Sequence, residues 1–342
     1  MPTQYRLSVL DQSPIVEGSN AAGAIANTIE LARLCDDLGY ARYWLAEHHA
    51  SPALAGAAPE ALIGSVAQAT RRIRVGSGGI MLPHYSPFKV AETFHLLAAL
   101  APGRLDLGIG RAPGTDGRAT LALQRDRSRN ARFDDFPPNL AELIAYCRDG
   151  LPEEHPFAPL IATFPGGGGS PEIWLLGSSM DSAVWAAEAG LPYCFADFIN
   201  PGGAAIAAEY RRRFRPSILF AEPYLAVASW TVAAATREAA ERLAKPAAML
   251  GALLFQGKFI AVPSIETAEA FLADNPAALT TRRRRTIVGT PVEVRAGLDA
   301  VAGEYGADEM MLVNILADHQ ARLESYRLVA AEYGLAEQAA AA

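Results

Sequence analysis

The sequence predicts an α/β protein built on a closed (β/α)8 TIM barrel. Short β-rich runs alternate with longer amphipathic segments, and the first four runs begin at residues 6, 42, 73 and 104, the spacing of consecutive βαβ units. Eight such runs, with no change in composition that would divide the chain, favour a closed barrel over an open doubly wound sheet. We therefore expect one domain over residues 1–342.

The first half of the chain shows this alternation without interruption. The strand Arg6–Leu10 precedes a helix over about Ala22–Leu38, which Gly39 ends because glycine accepts the left-handed conformation. Next come the strand Arg42–Ala46, the helix Pro59–Thr70 with proline in its first turn, the strand Ile73–Leu82, the helix Phe88–Leu100 and the strand Arg104–Ile109.

Two insertions interrupt the second half, after strands four and seven. The first contains the polar stretch Arg125–Asp135 and the run Gly166–Gly169, and the second contains Arg282–Arg285. We expect Arg282–Arg285 to form a solvated loop or an anion grip, and residues 336–342 to be frayed. The four strands of this half are Glu172–Leu176, Tyr193–Ala196, Tyr224–Ala228 and Glu309–Val313, each followed by an amphipathic helix.

Composition excludes several classes of protein. Thirty basic against thirty-seven acidic residues give a net charge of −7, so no positive field would attract nucleic acid. Cys35, Cys147 and Cys194 lack disulfide or zinc spacing, which fits a reducing cytoplasm. The start of the chain lacks a signal-peptide pattern, and the most apolar later segment, Ala247–Phe255, is too short to span a bilayer.

In such barrels the chemistry lies at the C-terminal ends of the strands, and this sequence places polar and glycine-rich groups there. Two histidines follow strand two. Because neighbouring side chains on a strand point to opposite faces, we expect His48 to enter the barrel mouth and His49 to turn toward the helices, which disfavours a metal site. The strand-end groups are Asp11-Gln12-Ser13, Glu47-His48-His49, Gly78-Gly79, Gly110-Arg111, Gly177-Ser178-Ser179 and Asn314.

Each of these groups has both a functional and a structural interpretation. An imidazole suits proton transfer near neutral pH, so His48 is a candidate catalytic residue, or it only hydrogen-bonds its surroundings. Gly78-Gly79 marks close approach of a flat ligand or a bend at a barrel corner. Arg111, together with Ser178 and Ser179 before a helix, suits a phosphate monoester, although a surface arginine is the alternative.

Two glycine-rich motifs do not match nucleotide-binding patterns. In Gly108–Gly114 the third glycine comes one position late and Pro113 lies where the helix would start, so a nicotinamide-binding Rossmann site is disfavoured. Gly166–Gly169 lacks the Lys-Ser/Thr of a P-loop and is interpreted as a connection.

Six ordered blocks, spread over nearly the whole chain, resemble the bacterial-luciferase-like flavin-dependent oxidoreductases, particularly the MsnO8-type subgroup. The blocks are Leu7–Pro14, Trp44–His49, Val75–Pro83, Gly103–Gly114, Trp174–Ser179 and Arg285–Pro291.

The resemblance implies a TIM barrel that binds reduced FMN, or the deazaflavin F420 in some branches, at its mouth. It implies a proton-handling role for His48, a cis peptide bond between Gly78 and Gly79, and phosphate binding by Arg111 with Gly177, Ser178 and Ser179. It also implies a mobile lid over about residues 274–286 and a homodimer. Gly110 and Gly177 depart from light-emitting luciferase, which disfavours light emission.

The resulting hypothesis is a two-component monooxygenase. A separate reductase supplies reduced FMN, oxygen forms a C4a-peroxyflavin, and one oxygen atom passes to a small organic substrate that the sequence does not identify. The alternatives are F420-dependent hydride transfer, a non-catalytic flavin-binding protein, and a metal-dependent hydrolase that uses His48, His84 and His319.

Overall fold

The computed structural model describes residues 5–123, 135–165, 169–276, 278 and 285–336, without the side chains of Asp149 and Phe255. Most of Arg125–Asp135, Gly166–Gly168, Arg282–Arg284 and most of the expected lid and tail therefore lie outside the described residues.

Within the described residues, nine parallel strands form the sheet, and eight of them close the predicted barrel. Each strand of the barrel pairs with its neighbours in the order β1-β2-β3-β4-β5-β6-β7-β9, and β9 returns to β1. The strands are β1 (Arg6–Asp11), β2 (Arg42–Leu45), β3 (Arg74–Met81), β4 (Leu105–Gly110), β5 (Glu172–Gly177), β6 (Tyr193–Ala196), β7 (Leu225–Ala233), β8 (Thr286–Gly289) and β9 (Glu309–Val313).

The strand β8 was not predicted from the sequence. It pairs only with the C-terminal half of β7, Trp230–Ala233, whereas the N-terminal half of β7 pairs with β9 and closes the barrel. The strand β7 is thus longer than the predicted Tyr224–Ala228, because it belongs to the barrel at one end and to this side extension at the other.

The helices follow the strands as predicted, and within the described residues none is long and apolar enough to cross a bilayer. Gly39 ends the first helix with a φ of 88° and donates its N–H to the carbonyl of Asp36, as expected for a glycine stop. The helices are α1 (Ala21–Leu38), α2 (Pro59–Ala69), α3 (Pro87–Leu100), α4 (Gly117–Leu123), α5 (Phe136–Ile144), α6 (Met180–Glu188), α7 (Ala204–Arg213), α8 (Arg237–Phe255), α9 (Ile265–Asp274), α10 (Pro291–Tyr305) and α11 (His319–Tyr333).

The inside of the barrel is a packed core that supports the mouth from below. Trp44 and Trp174 are fully buried there and meet edge to face with ring centroids 5.1 Å apart. At the N-terminal side of the barrel, Asp106 accepts hydrogen bonds from Arg42 at 2.8 Å and from the indole of Trp44 at 2.9 Å. Charged and aromatic side chains thus fill the lower barrel, which leaves the opposite end for a site.

Candidate active site

A cavity of about 440 Å³ opens at the C-terminal ends of the barrel strands. Its polar wall comes from the segments after β1, β2 and β4, and its apolar wall comes mainly from the segment after β6, Trp230 of β7, the second half of α8 and the residues that follow α8. Cavities of this size hold small organic ligands in other proteins. The lining residues used below are Gln12, His48, His49, Ala50, Gly114, Asp116, Ile199, Trp230, Ala247, Leu250, Gly251, Leu254, Lys258 and Phe259.

His48 lies in the polar wall, where the sequence predicted it. Its Nε2 is 2.8 Å from Oε1 of Gln12, which also lines the cavity. Burial lowers the pKa of His48 below its usual 6.5, and the neighbouring His49 lowers it further. A hydrogen bond to the Gly114 backbone opposes this shift, and the net lowering of the pKa leaves the imidazole neutral at pH 7.

The prediction that His49 turns away from the mouth is wrong. The strand β2 ends at Leu45, so the alternation of a strand no longer governs residues 46–49, and His48 and His49 both line the cavity. The Nε2 of His49 is 2.7 Å from Oε1 of Glu47, a fully buried carboxylate that also accepts a hydrogen bond from the Met81 N–H at 3.0 Å. His49 is thus held by a charged partner and His48 by a neutral one.

The backbone beside the polar wall is strained. Ser13 has a φ of 48° and Ala50 has a φ of 51°, a left-handed conformation that non-glycine residues seldom adopt. Ser13 follows β1 and Ala50 lines the cavity. Strain of this kind persists where surrounding structure compels it and is concentrated at functional sites.

The peptide bond between Gly78 and Gly79 is cis, as the resemblance implies. A Cβ added to Gly78 would lie 2.5 Å from Leu10 and one added to Gly79 would lie 2.7 Å from the Gly108 carbonyl oxygen. Packing inside the barrel therefore already requires both glycines, whether or not a ligand approaches them.

The predicted anion site lies beside the cavity, at the ends of β4 and β5. Arg111 follows β4 and donates to the Asp181 carboxylate at 3.2 Å, while its guanidinium lies 4.9 Å from the ring centroid of Trp185. Both partners belong to α6, whose N-cap is Ser179. The structure thus brings Arg111 to the N-terminal end of the helix that Ser178 and Ser179 precede.

Local packing explains the residues that start α6. The hydroxyl of Ser179 caps the helix by accepting from the Ser182 N–H. A Cβ at Gly177 would lie 2.3 Å from Oγ of Ser182, so only glycine fits there. The Ser178 carbonyl accepts from Asn200 Nδ2 at 2.9 Å, which ties this turn to the end of β6.

A phosphate monoester fits this set of groups. One guanidinium nitrogen of Arg111 is engaged by Asp181, the side chain is about one third exposed (31%), and the α6 N-terminus presents its dipole and N–H groups nearby. The carboxylate of Asp181 is 61% exposed, so it can turn toward solvent when an anion takes its place. The loop after β4 carries Arg111 and also lines the cavity at Gly114 and Asp116. This loop therefore connects the groups around Arg111 with the cavity.

The histidines of the hydrolase alternative have separate partners. His84 contacts the Pro113 carbonyl at 2.7 Å and lies beside His49, with ring centroids 5.6 Å apart, whereas His319 contacts Glu30 at 3.1 Å. Within the described ranges, no group of three or more His, Cys, Asp or Glu side chains could hold a metal ion. Arg285 pairs with Glu304 of α10 at 2.7 Å.

The apolar wall of the cavity was not predicted from the sequence. Ala247, Leu250, Gly251 and Leu254 recur at the spacing of one helical face and all line the cavity. They belong to the segment Ala247–Phe255, which the sequence analysis considered only as a membrane span. The helical spacing was the signal that could have identified this wall.

Comparisons with known proteins agree with this architecture. The family model described as luciferase-like monooxygenase matches residues 5–309. An uncharacterized Bacillus subtilis protein, YwcH, is 45% identical over 94% of this chain and 97% of its own length, and the N-acetyl-S-alkylcysteine monooxygenase of the same organism is 41% identical over 95% and 97%. The crystal structure of apo-MsnO8 has a TM-score of 0.87 at 39% identity and covers 97% of this chain and 98% of that one. The chain therefore belongs to the luciferase-like monooxygenase family.

Proposed function

We propose that this member of the luciferase-like monooxygenase family uses reduced FMN, supplied by a separate reductase, and oxygen to oxygenate a small organic substrate. The observation that carries the proposal is the joining of two regions at the barrel mouth: Arg111 beside the N-terminus of α6, and an apolar cavity with His48 in its wall. When bound, the reduced flavin would supply the electrons that activate oxygen.

Arg111, Ser179 and the first turn of α6 would hold the FMN phosphate. A guanidinium donates several hydrogen bonds to phosphate oxygens, and the helix N-terminus adds partial positive charge. The Arg111 guanidinium is kept in place by its contact with Trp185, so it needs little reordering to meet a phosphate. Ser178 and Gly177 would contribute backbone at the same turn.

His48 would hold or move a proton at Nε2. Its lowered pKa keeps the imidazole neutral at pH 7, and the Gln12 side chain fixes the ring orientation through the 2.8 Å contact. A neutral, oriented imidazole can accept or release a proton near neutral pH. His48 is therefore the residue to which we assign proton transfer.

The cavity would hold the substrate and limit access of water to the reacting atoms. Its aromatic and aliphatic lining, including Trp230 and Phe259, offers few groups that hold water. The name of the relative N-acetyl-S-alkylcysteine monooxygenase makes such thioethers reasonable first substrates to test on this chain.

We also infer a cytoplasmic homodimer. The three cysteines are buried free thiols, and burial raises the pKa of Cys147 to about 12, so they suit a reducing compartment.

On α3, Leu96 and Leu100 are 52% and 48% exposed and lie one helical turn apart, an apolar pair that a second copy would cover. Mass photometry of the wild type and of a Leu96→Glu variant would test this: a monomeric wild type contradicts the dimer.

The decisive experiment is an anaerobic titration of the protein with reduced FMN, followed by rapid mixing with oxygen. Tight binding together with reoxidation slower than that of free flavin supports the monooxygenase. Binding with reoxidation at the free rate would contradict oxygen activation and favour hydride transfer or flavin storage. If reduced FMN does not bind and reduced F420 does, the cofactor assignment is wrong.

A further inference from the structure

Among the described lining residues, one carries a positive side chain that has no anionic partner there. The chain has three lysines, and two form ion pairs: Lys89 with Glu92 at 2.8 Å and Lys245 with Glu269 at 2.9 Å. Lys258 lines the cavity, and no hydrogen bond or ion pair of its side chain is found in the described part of the chain.

The end of α8 fixes the backbone of Lys258. Gly257 adopts a left-handed conformation with a φ of 70°, and the Lys258 N–H donates to the Leu253 carbonyl at 3.0 Å. This is the hydrogen bonding of a helix stopped by glycine, so the base of the lysine is held in place. Helix termination therefore places the exposed residue Lys258 at the cavity.

The cavity also exposes apolar surface. Ile199, Leu254 and Phe259 are 58%, 45% and 50% exposed although each is a large hydrophobic side chain, and all three line the cavity. A ligand that covered them would gain the free energy of removing apolar surface from water. The lining therefore selects a molecule with an apolar body.

The other formal charge in the lining does not neutralise the lysine. Oδ1 of Asp116 accepts from the Ala119 N–H at 2.8 Å and caps α4, and no ion pair joins Asp116 to Lys258 within the described residues. His48 is neutral at pH 7 because its pKa is lowered. An anion at Lys258 would therefore meet an unpaired positive charge beside an apolar surface.

We propose that the substrate is an amphiphile whose apolar body fills the cavity and whose carboxylate pairs with Lys258, which makes Lys258 a specificity-determining residue. The proposal rests on the proposed function only in taking this cavity as the substrate site.

Calorimetric titration of the full-length protein, with and without FMN, tests the proposal directly. The ligands are two matched pairs, octanoate with octanamide and 4-phenylbutanoate with 4-phenylbutanamide. Lys258 is exposed, so its ion pair with a carboxylate is partly screened, and at least one carboxylate should bind roughly two- to fivefold more tightly than its amide. This preference should weaken as salt is raised.

Variants assign the preference to the residue. Lys258→Met should remove it and Lys258→Arg should retain most of it, whereas Lys89→Met and Lys245→Met are matched controls that should leave it unchanged. Lys258→Glu should invert the selection, so that octylammonium binds more tightly than octanoate.

Three results would overturn the proposal. The first is that the wild type binds neither carboxylate, or binds each no more tightly than its amide. The second is that the preference for the carboxylate survives in Lys258→Met. The third is that Lys258→Met loses affinity for FMN but not for riboflavin, which would make Lys258 a cofactor contact. The titrations do not depend on oxygenation. A carboxylate preference without flavin binding would contradict only the proposed function, and flavin-dependent oxygenation without the preference would contradict only the role of Lys258.

Discussion

Replacing Arg111 tests the cofactor site through the difference between FMN and riboflavin, which differ only by the phosphate. The Arg111 side chain is 31% exposed, so its attraction for a phosphate is partly screened, and one of its donors is shared with Asp181 at 3.2 Å. We therefore expect its charge-assisted hydrogen bonds to contribute about 1 to 2 kcal/mol. That is roughly a 5- to 30-fold weaker binding of FMN by Arg111→Ala.

The assay is an anaerobic titration of each variant with reduced FMN or reduced riboflavin, in which the change in flavin fluorescence reports binding. Arg111→Ala should lose FMN affinity and leave riboflavin affinity unchanged. Asp181→Asn should tighten FMN binding several-fold, since it removes a negative charge beside the phosphate and frees the guanidinium. Arg327→Ala, a change at another surface arginine with a carboxylate partner, is the control. The assignment is refuted if Arg111→Ala still prefers FMN over riboflavin as strongly as the wild type does.

Three further predictions concern the proton site and the supports of the barrel. His48→Asn should bind reduced FMN normally and lose turnover about 100-fold, as expected for general acid–base catalysis. Because the pKa of His48 is lowered, wild-type turnover should fall with acid only below pH 6.5, and an unchanged rate or profile in the variant would exclude the role. Asp11→Asn should lower the free energy of unfolding by about 3 to 5 kcal/mol, because it leaves Arg322, which is 1% exposed and 2.6 Å from Asp11, without its buried partner. Urea unfolding measures this free energy, and the double variant Asp11→Leu/Arg322→Met should recover most of the lost stability. Equal losses in the single and the double variant would contradict the prediction. Gly78→Ala should lower the melting temperature without added flavin, because its Cβ would lie 2.5 Å from Leu10, and a loss confined to flavin binding would show that the ligand, not the core, requires glycine.

The ionic pair that supports β1 also predicts how stability depends on pH. Burial alone would raise the pKa of Asp11, but Arg322 and the Tyr43 hydroxyl outweigh it and bring the pKa below its usual 3.8. A carboxyl group whose pKa is lower in the folded protein than in the unfolded chain stabilises the folded protein at pH values above its pKa in the unfolded chain. This contribution is lost as the pH falls through its pKa in the folded protein. The Asp11→Asn variant should therefore converge with the wild type in acid.

The sequence predicts the barrel well because its signals are local and repeated. Each strand is a short apolar run, each helix has a defined start or stop, and the predicted ends of β6 and β9 are those of the structure. The strand β8 was missed because Thr286–Gly289 lies outside the barrel and pairs with just one half of β7. Its existence depends on a contact distant in sequence, which no local pattern reports.

The site was predictable where side chains follow a strand directly and less so where the chain leaves the strand. His48 and Arg111 could be named as candidates from the sequence because a barrel places chemistry at strand ends, and their roles stay predictions. His49 was misplaced because alternation was extended four residues beyond Leu45, where β2 ends. Lys258 could not be placed because its position depends on where α8 stops and on how that helix packs over the mouth.

The glycines of β3 show why a motif and a role must be weighed separately. Gly78-Gly79 belongs to a block that resembles flavin-binding barrels, yet protein atoms occupy the space a Cβ would need at both positions. Glycine would be required there in a barrel of this packing without a cofactor, so these residues do not discriminate between ligands. Arg111 is more informative about the ligand, because a partly exposed guanidinium beside the α6 N-terminus is not needed to pack the core. Evidence for a phosphorylated cofactor therefore depends on Arg111, which is why FMN and riboflavin must be compared in its variants.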